Sequence, residues 1–241
     1  MAEIKTESGC SMGAEKKVAR WGGIAGILIP IFFILMAVTS FVFIPPAPDD
    51  PEGLVMRFKE NRSTIATAEG FYLVVVILLI TLFISLYRVL RKASVAPALI
   101  GTGIGLVGLA VLAAGALPYV AFTHISDLDS APGTTSESNT TIALMYQSIQ
   151  GVFHETDTVG FILMALGFIL LGASMFGSPD FGKRYGWAGL VFGGIALAGM
   201  AIFGITSKLV FIFILPAFIV LPLIYGWKLY SLSRVFKKDL I

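Results

Sequence analysis

Six long apolar stretches constrain the fold of this chain more than any other feature. Each has about the 20 residues that a helix needs to cross a hydrocarbon core ~30 Å thick. None carries Asp, Glu, Lys or Arg near its middle. A membrane barrel would show short alternating segments instead, so the sequence predicts an all-α integral membrane bundle of six transmembrane helices. The stretches cover about residues 22–44, 66–87, 97–121, 158–177, 186–206 and 209–230.

Composition excludes an ordinary soluble domain. Charged residues make up 13% of the chain, against about 25% in soluble domains. The first apolar stretch is longer than the ~7–15 residues of a signal-peptide core and lacks a clear cleavage site, so we expect it to remain as the first span. Cys10 is the single cysteine, and an intramolecular disulfide is therefore impossible.

The distribution of cations predicts the orientation. Thirteen of the 17 Lys and Arg residues lie in the N-terminal tail, the second and fourth connections and the C-terminal end. Because cytoplasmic loops carry an excess of cations, both termini are predicted to be cytoplasmic, which agrees with an even number of spans. The other four cations and ten of the 15 acids fall on the predicted outer side.

This division defines the predicted domains and partners. Residues 1–18 form a polar cytoplasmic tail, residues 19–232 the six-span bundle, and residues 233–241 a basic cytoplasmic tail. We expect a prokaryotic cell membrane as the location and the lipid bilayer as the main partner. The cationic inner side favours contacts with anionic lipid headgroups. No basic stripe with interleaved aromatic residues occurs, so nucleic acid is not an expected partner, and no protein partner is indicated.

Two helices are predicted outside the spans on the outer side. Asp50-Pro51-Glu52 has the residues of a helix start, with Asp as the cap and Pro at the first helical position. Leu54, Val55 and Phe58 are then expected to face the membrane. Before the fourth span, apolar residues recur at helical spacing over residues 142–153. This pattern predicts a short amphipathic helix, either lying on the outer surface or packed over the mouth of the bundle.

Glycines recur on three of the spans. Such spacing lets helix backbones approach closely inside lipid. The pattern fits either packing within one bundle or a face for dimerisation. We favour the first, because the glycines occur on several spans. They are Gly22 and Gly26 on the first span, Gly101, Gly105 and Gly108 on the third, and Gly189, Gly193 and Gly194 on the fifth.

The candidate site lies at the outer boundary of the spans. His154 and Asp157 are three residues apart and share a helix face, Glu69 sits at the outer end of the second span, and His124 follows the third. Two imidazoles and two carboxylates can hold a zinc ion that activates water for hydrolysis, or they can bind a polar solute or a cation. The alternative is a solvated helix start, where acids suit the helix dipole.

Ion-coupled transport is disfavoured, because such carriers place ionisable groups at mid-membrane. Here the polar residues near the middle of the spans are hydroxyls such as Thr81 and Thr102. Pro30 and Pro216 are possible helix breaks, although proline is tolerated in membrane helices. A passive pore for a neutral solute remains open.

Two stretches carry a family resemblance. One is Leu86-Tyr87-Arg88-Val89-Leu90-Arg91 followed by the glycine-rich third span. The other runs from Gly160 through Gly172 and Ser178-Pro179 to the glycines after Tyr185. Together they resemble small six-span membrane proteins of bacteria and archaea that are grouped as a domain of unknown function. The resemblance covers spans two to five and implies six spans, without an activity.

Two functional hypotheses follow. The first is a non-enzymatic membrane protein, either an accessory subunit or a binder of lipid or a small solute. The second is a metal-dependent hydrolase at the outer membrane surface that uses His124, His154, Asp157 and Glu69. No HExxH, phosphate-loop or nucleophile-elbow motif occurs, and we favour the non-enzymatic hypothesis.

Overall fold

The structure is a computed structural model that describes residues 3–46, 50–125, 136–203 and 210–235. All regular elements in these ranges are helical. Two π-helical segments, Thr39–Phe43 after α1 and Pro216–Val220 between α7 and α8, widen the turns of the helices that they join. The α-helices are α1 Glu3–Val38, α2 Pro51–Glu60, α3 Arg62–Leu90, α4 Val95–Ile125, α5 Ser136–Met175, α6 Gly182–Phe203, α7 Val210–Leu215 and α8 Leu221–Val235.

Six helical stretches in the described ranges are long and apolar enough to cross a membrane, as predicted. The first consists of α1 and the π-helical segment that continues it, and the last runs from α7 into α8. The protein is therefore a multi-pass membrane protein embedded in the lipid bilayer. Helix α1 already begins at Glu3, so the predicted tail and the first span share one continuous helix.

The spans pack around a single large apolar core. Helix α1 packs against α3 and α8, while α5 packs against α4 and α6. Phe83 of α3 and Phe168 of α5 meet inside the bundle with their ring centroids 4.8 Å apart, and both side chains are fully buried. Helices α3 and α5 thus meet inside the bundle, with α1 and α4 packed against α3, α4 and α6 packed against α5, and α8 packed against α1.

Glycines make the close helix contacts, as predicted. A Cβ atom at Gly26 would lie 2.5 Å from the backbone oxygen of Pro222 and 2.6 Å from the Cα of Gly226. On α4, a Cβ at Gly101 would lie 3.0 Å from the backbone nitrogen of Leu171. These positions line contacts within the bundle. Gly194 differs, because it faces open space.

Charged side chains from two segments of the chain meet at one end of the bundle. Arg91, Lys92 and Glu15 meet at one end: a carboxylate oxygen of Glu15 accepts a hydrogen bond from Lys92, and the other lies 4.0 Å from Arg91. The N-terminal part of α1 and the second connection therefore share one end, which we call the basic end. The opposite end, which carries α2, is called the α2 end.

Helix α2 begins as predicted, but its residue Phe58 does not face the membrane. Asp50 Oδ2 accepts a hydrogen bond of 2.7 Å from the backbone N–H of Gly53, with Pro51 at the first helical position. The expectation that Phe58 faces the membrane is wrong. Its side chain is fully buried, and its ring centroid lies 4.5 Å from that of Tyr146 on α5. The side chains of Leu54 and Val55 lie outside the described part.

The predicted amphipathic helix is the first part of α5, which continues without a break into the fourth span. Glycine costs only ~1 kcal/mol in a helix interior, so Gly151 and Gly160 do not end the helix. The apolar face of this part packs against α2. We call the resulting small core the cap cluster; it consists of Phe58, Ile65, Ile142 and Tyr146, with Ile44 and Ile149 packed against it.

Candidate functional site

A pocket of about 250 Å³ opens in the bundle at the α2 end. Most of its wall is apolar and includes Phe33 of α1 and Phe218 of the second π-helical segment. Polar side chains from α3 and α5 line it as well. The pocket thus combines an apolar body with a small polar region. The polar and titratable lining residues are Ser40, Glu69, Tyr72, His154 and Asp157.

Helical spacing explains why α3 and α5 contribute these side chains. On α3, Glu69, Tyr72 and Val76 follow one another at intervals of three and four, which places them on one face. On α5, Asp157 and Phe161 do the same. All five line the pocket. The face that carries the acids at the α2 end continues into the apolar core.

A hydrogen bond connects α3 and α5, the two helices that carry the acids of the pocket. The Tyr72 hydroxyl donates to Asp157 Oδ1 over 2.9 Å, between residues 85 positions apart in the chain. The Tyr72 ring lies 6.3 Å from the ring of Phe153, measured between centroids. Tyr72 therefore fixes the side of the pocket on which the Asp157 carboxylate lies.

Glu69 is the least satisfied group of the site. Its Oε2 is buried and has no hydrogen-bond partner among the described residues. The Glu69 carboxyl is also close enough to the Asp157 carboxyl for their charges to repel each other. None of the described residues that line the pocket is Lys or Arg. Two carboxyl groups thus share an apolar pocket whose described wall offers no cationic side chain other than the imidazole of His154.

Three of the four predicted metal ligands share this pocket: Glu69, His154 and Asp157. The side chain of the fourth, His124, lies outside the described part. Within the described part, no three His, Cys, Asp or Glu side chains lie close enough together to hold a metal ion. A catalytic zinc ion of the predicted kind usually has three protein ligands at ~2 Å and one open position, so the described residues alone do not make such a site. Zinc binding stays a prediction.

Sequence reasoning identified Glu69, His154 and Asp157 but missed the other residues that line the pocket. Tyr72 stands three residues after Glu69, and this spacing was sufficient to place both on one helix face. Phe33 and Phe218 come from the first and last spans, and no sequence pattern indicated that they meet.

Both π-helical segments border the pocket. Ser40 and Phe41 of the first and Phe218 of the second lie in its wall. Pro216 opens the second segment, and it cannot donate a backbone hydrogen bond to the preceding turn. Such wide turns occur frequently at functional sites. Here they accompany the separation of the helices around the pocket.

Comparison with known proteins identifies a family. The profile of a family described as "Domain of unknown function (DUF4386)" matches residues 24–229, which include α2 to α7, the C-terminal part of α1 and the larger part of α8. No curated protein and no solved structure gives a significant match. Because the match covers most of the chain and all six spans, the chain belongs to the family defined by the domain of unknown function DUF4386.

Proposed function

We propose that this membrane protein binds a small, mostly apolar molecule with one polar end in the pocket at the α2 end. The observation that carries the proposal is the 250 Å³ cavity with an apolar wall and convergent polar groups on α3 and α5. Ligand sites typically have this composition, with volumes of about 300–1,000 Å³. A cavity slightly below that range suits a compact solute or a short lipid-derived molecule.

The polar groups orient the bound molecule in this proposal. Its apolar body lies among side chains such as Phe161 and Leu112, and its polar end meets Glu69, Tyr72 and Asp157. Burying the body contributes about 25 cal/mol per Å² of apolar surface. The polar contacts add direction, because a buried polar group without a partner is costly.

We further propose that the pocket faces the outside of the cell membrane and that both termini are cytoplasmic. The cation distribution of the sequence supports this orientation. The basic end would then contact anionic headgroups of the inner leaflet. The three tryptophans of the chain are exposed in helix segments near the basic end: Trp21, Trp187 and Trp227. Tryptophans are enriched at membrane interfaces.

Cysteine labelling tests the orientation. With Cys10 replaced by Ser, single cysteines are placed at Ser63, which is exposed near the α2 end, and at Gly177, which is exposed at the basic end with space around it. An impermeant thiol reagent applied to intact cells should modify the first position and spare the second. The reverse pattern would contradict the proposed orientation.

Filling the pocket tests the binding function. Val76 and Ile77 are adjacent on α3, but Val76 is buried in the pocket wall whereas Ile77 is 61% exposed on the outside of the bundle. The purified protein in nanodiscs is titrated with 2-phenylethanol, 2-phenylethylammonium and phenylacetate, and the thermal midpoint is followed. A ligand at 100 times its Kd stabilises a protein by about 2.7 kcal/mol.

We expect at least one probe to raise the midpoint of the wild-type protein. Val76→Phe should abolish this shift, and Ile77→Phe should retain it. Leu112→Phe fills the same pocket from α4 and serves as a second variant if Val76→Phe does not fold. A shift that survives in both pocket variants would show that binding occurs elsewhere, and the absence of any shift with all three probes would remove the support for this function.

A further inference from the structure

We propose that the ligand of this pocket is an organic cation, a small molecule whose apolar body carries an ammonium group. This inference rests on the proposed binding function and adds the charge of the ligand. The geometry that points to it is the pairing of Glu69 and Asp157 within one apolar pocket. The Oε2 of Glu69 has no hydrogen-bond partner among the residues that the structure describes.

The first step of the argument concerns charge balance. A carboxylate away from water is costly unless a hydrogen bond or an opposite charge compensates it. Tyr72 donates a hydrogen bond to Asp157, whereas Glu69 Oε2 has no partner among the described residues. The described wall of the pocket holds neither Lys nor Arg. The compensating charge therefore has to come from a proton, from the imidazole of His154, which also lines the pocket, or from a cation that enters it.

The second step concerns the shape and chemistry of the pocket. A bare metal ion requires several close ligands, and the described residues offer no group of three His, Cys, Asp or Glu side chains for it. The pocket instead has a volume of about 250 Å³ and a mostly apolar wall. A molecule with an apolar body fills this volume and places one charged group beside the acids. An organic cation satisfies both requirements at once.

The third step concerns aromatic rings beside the acids. Tyr72 and Phe153 both line the pocket, with ring centroids 6.3 Å apart. Each stands close in sequence to an acid of the site: Tyr72 follows Glu69 by three residues, and Phe153 precedes Asp157 by four. Aromatic faces attract cations, and an ammonium group within ~6 Å of a ring centroid is stabilised by it. The same rings give no such advantage to an anion.

The fourth step concerns attraction over longer distances. The sequence stretches predicted to connect the spans on the outer side, together with the adjoining ends of the spans, carry ten of the chain's 15 acids and only four of its 17 cations. An excess of one sign around a cleft raises the local concentration of oppositely charged solutes. The surface around the pocket and the pocket itself therefore select for the same charge.

The test compares two probes of equal size, 2-phenylethylammonium and 2-phenylethanol, by titration of the wild-type protein in nanodiscs. Hydrogen bonds to charged groups contribute about 1.5–3 kcal/mol, which corresponds to roughly tenfold to hundredfold in Kd. We expect the ammonium probe to bind more tightly than the alcohol by about this factor. Phenylacetate should bind the weakest of the three probes.

Glu69→Gln keeps the size of the side chain and removes its charge. It should weaken binding of the ammonium probe by about tenfold or more and leave the affinity for the alcohol nearly unchanged. Glu155→Gln is the matched control, because Glu155 is an exposed acid on α5 that does not line the pocket. Asp157→Asn provides a second removal of charge if Glu69→Gln fails to fold.

The outcomes separate this inference from the function on which it rests. The proposal of a cationic ligand would be overturned by equal affinities for the two probes. It would also be overturned if Glu69→Gln and Asp157→Asn left the affinity for the ammonium probe unchanged. The proposal of a binding pocket would stand in either case. Tightest binding of phenylacetate would do the same. If the pocket-filling variants leave the binding of all probes unaltered, the proposed function itself fails, and the inference falls with it.

Discussion

The first and last spans of this bundle are in close contact near the basic end and are separated by a pocket towards the α2 end. Near the basic end, α1 and α8 touch through glycines: a Cβ at Gly23 would lie 2.6 Å from the backbone nitrogen of Tyr230, and Gly26 lies against Gly226. Towards the α2 end, α1 and the last span line a pocket instead. The close contact and the cavity lie on one pair of spans.

Residue size along α1 explains the difference. Glycines occupy the contact positions as far as Gly26, and beyond Pro30 the inward side chains are large, with Phe33 and Met36 in the pocket wall. The Phe33 ring stacks on Phe218 with centroids 5.8 Å apart, so the side chains hold the helices apart. Since packing drives helix association in lipid, small residues close one end, and their absence leaves room for a site at the other.

The largest expected effect is at the cap cluster, which covers the open end. Phe58→Ala removes a fully buried ring, and such changes cost about 3–5 kcal/mol. We expect this loss to be local, because the cap cluster is separate from the main core. Hydrogen exchange should become faster at the amides of α2 and change little in α3 below the pocket.

Met56→Ala is the control for this experiment, because Met56 lies on the same helix with 52% of its surface exposed. It should leave the exchange of α2 nearly unaltered. If Phe58→Ala instead accelerates exchange throughout the bundle, then the two ends do not unfold independently and the comparison between them fails.

A smaller substitution at the close glycine contact near the basic end should lower the stability of the whole bundle. Gly26→Ala introduces a Cβ that would meet two backbone atoms at 2.5 and 2.6 Å, and neither can rotate away. Overpacking of this kind costs about 1–3 kcal/mol, so we expect a lower thermal midpoint for the whole bundle. Gly194→Ala faces open space and should be neutral or stabilising by up to ~1 kcal/mol. Equal midpoints for the two variants would contradict the glycine argument.

The sequence was sufficient for the features that the membrane or a local rule imposes. Bilayer thickness sets the length of every span, and all six were predicted near their observed positions. The cap at Asp50 follows from the chemistry of helix starts and is present. The acids Glu69 and Asp157 were predicted to belong to one site because both lie at the same boundary, and they line one pocket.

Features that depend on contacts between distant segments were not predictable in this way. Phe58 faces inward because Tyr146, 88 positions later in the chain, lies opposite it. Phe33 and Phe218 come from the first and last spans and both line the pocket, and hydropathy does not encode which spans are neighbours. The first part of α5 packs against α2, and a local pattern could not reveal this partner.

The smallest expected effect distinguishes the two ends by function. Each end has a part-buried tyrosine hydroxyl in a hydrogen bond: Tyr72 donates to Asp157 at the pocket, and Tyr225 donates to the backbone oxygen of Tyr185 over 3.1 Å at the closed end. Hydrogen bonds between membrane helices contribute about 0.6 kcal/mol on average. Tyr72→Phe and Tyr225→Phe should therefore lower the thermal midpoint by similar, small amounts.

Ligand binding should separate these two variants even where stability does not. Tyr72→Phe frees the Asp157 carboxylate to move within the pocket. The affinity for 2-phenylethylammonium should therefore change several-fold, but by no more than tenfold, which corresponds to about 1.4 kcal/mol. Tyr225→Phe should leave that affinity unchanged, because Tyr225 does not line the pocket. If both variants alter affinity equally, the closed end contributes to binding through the bundle as a whole, and the division into a structural end and a binding end is wrong.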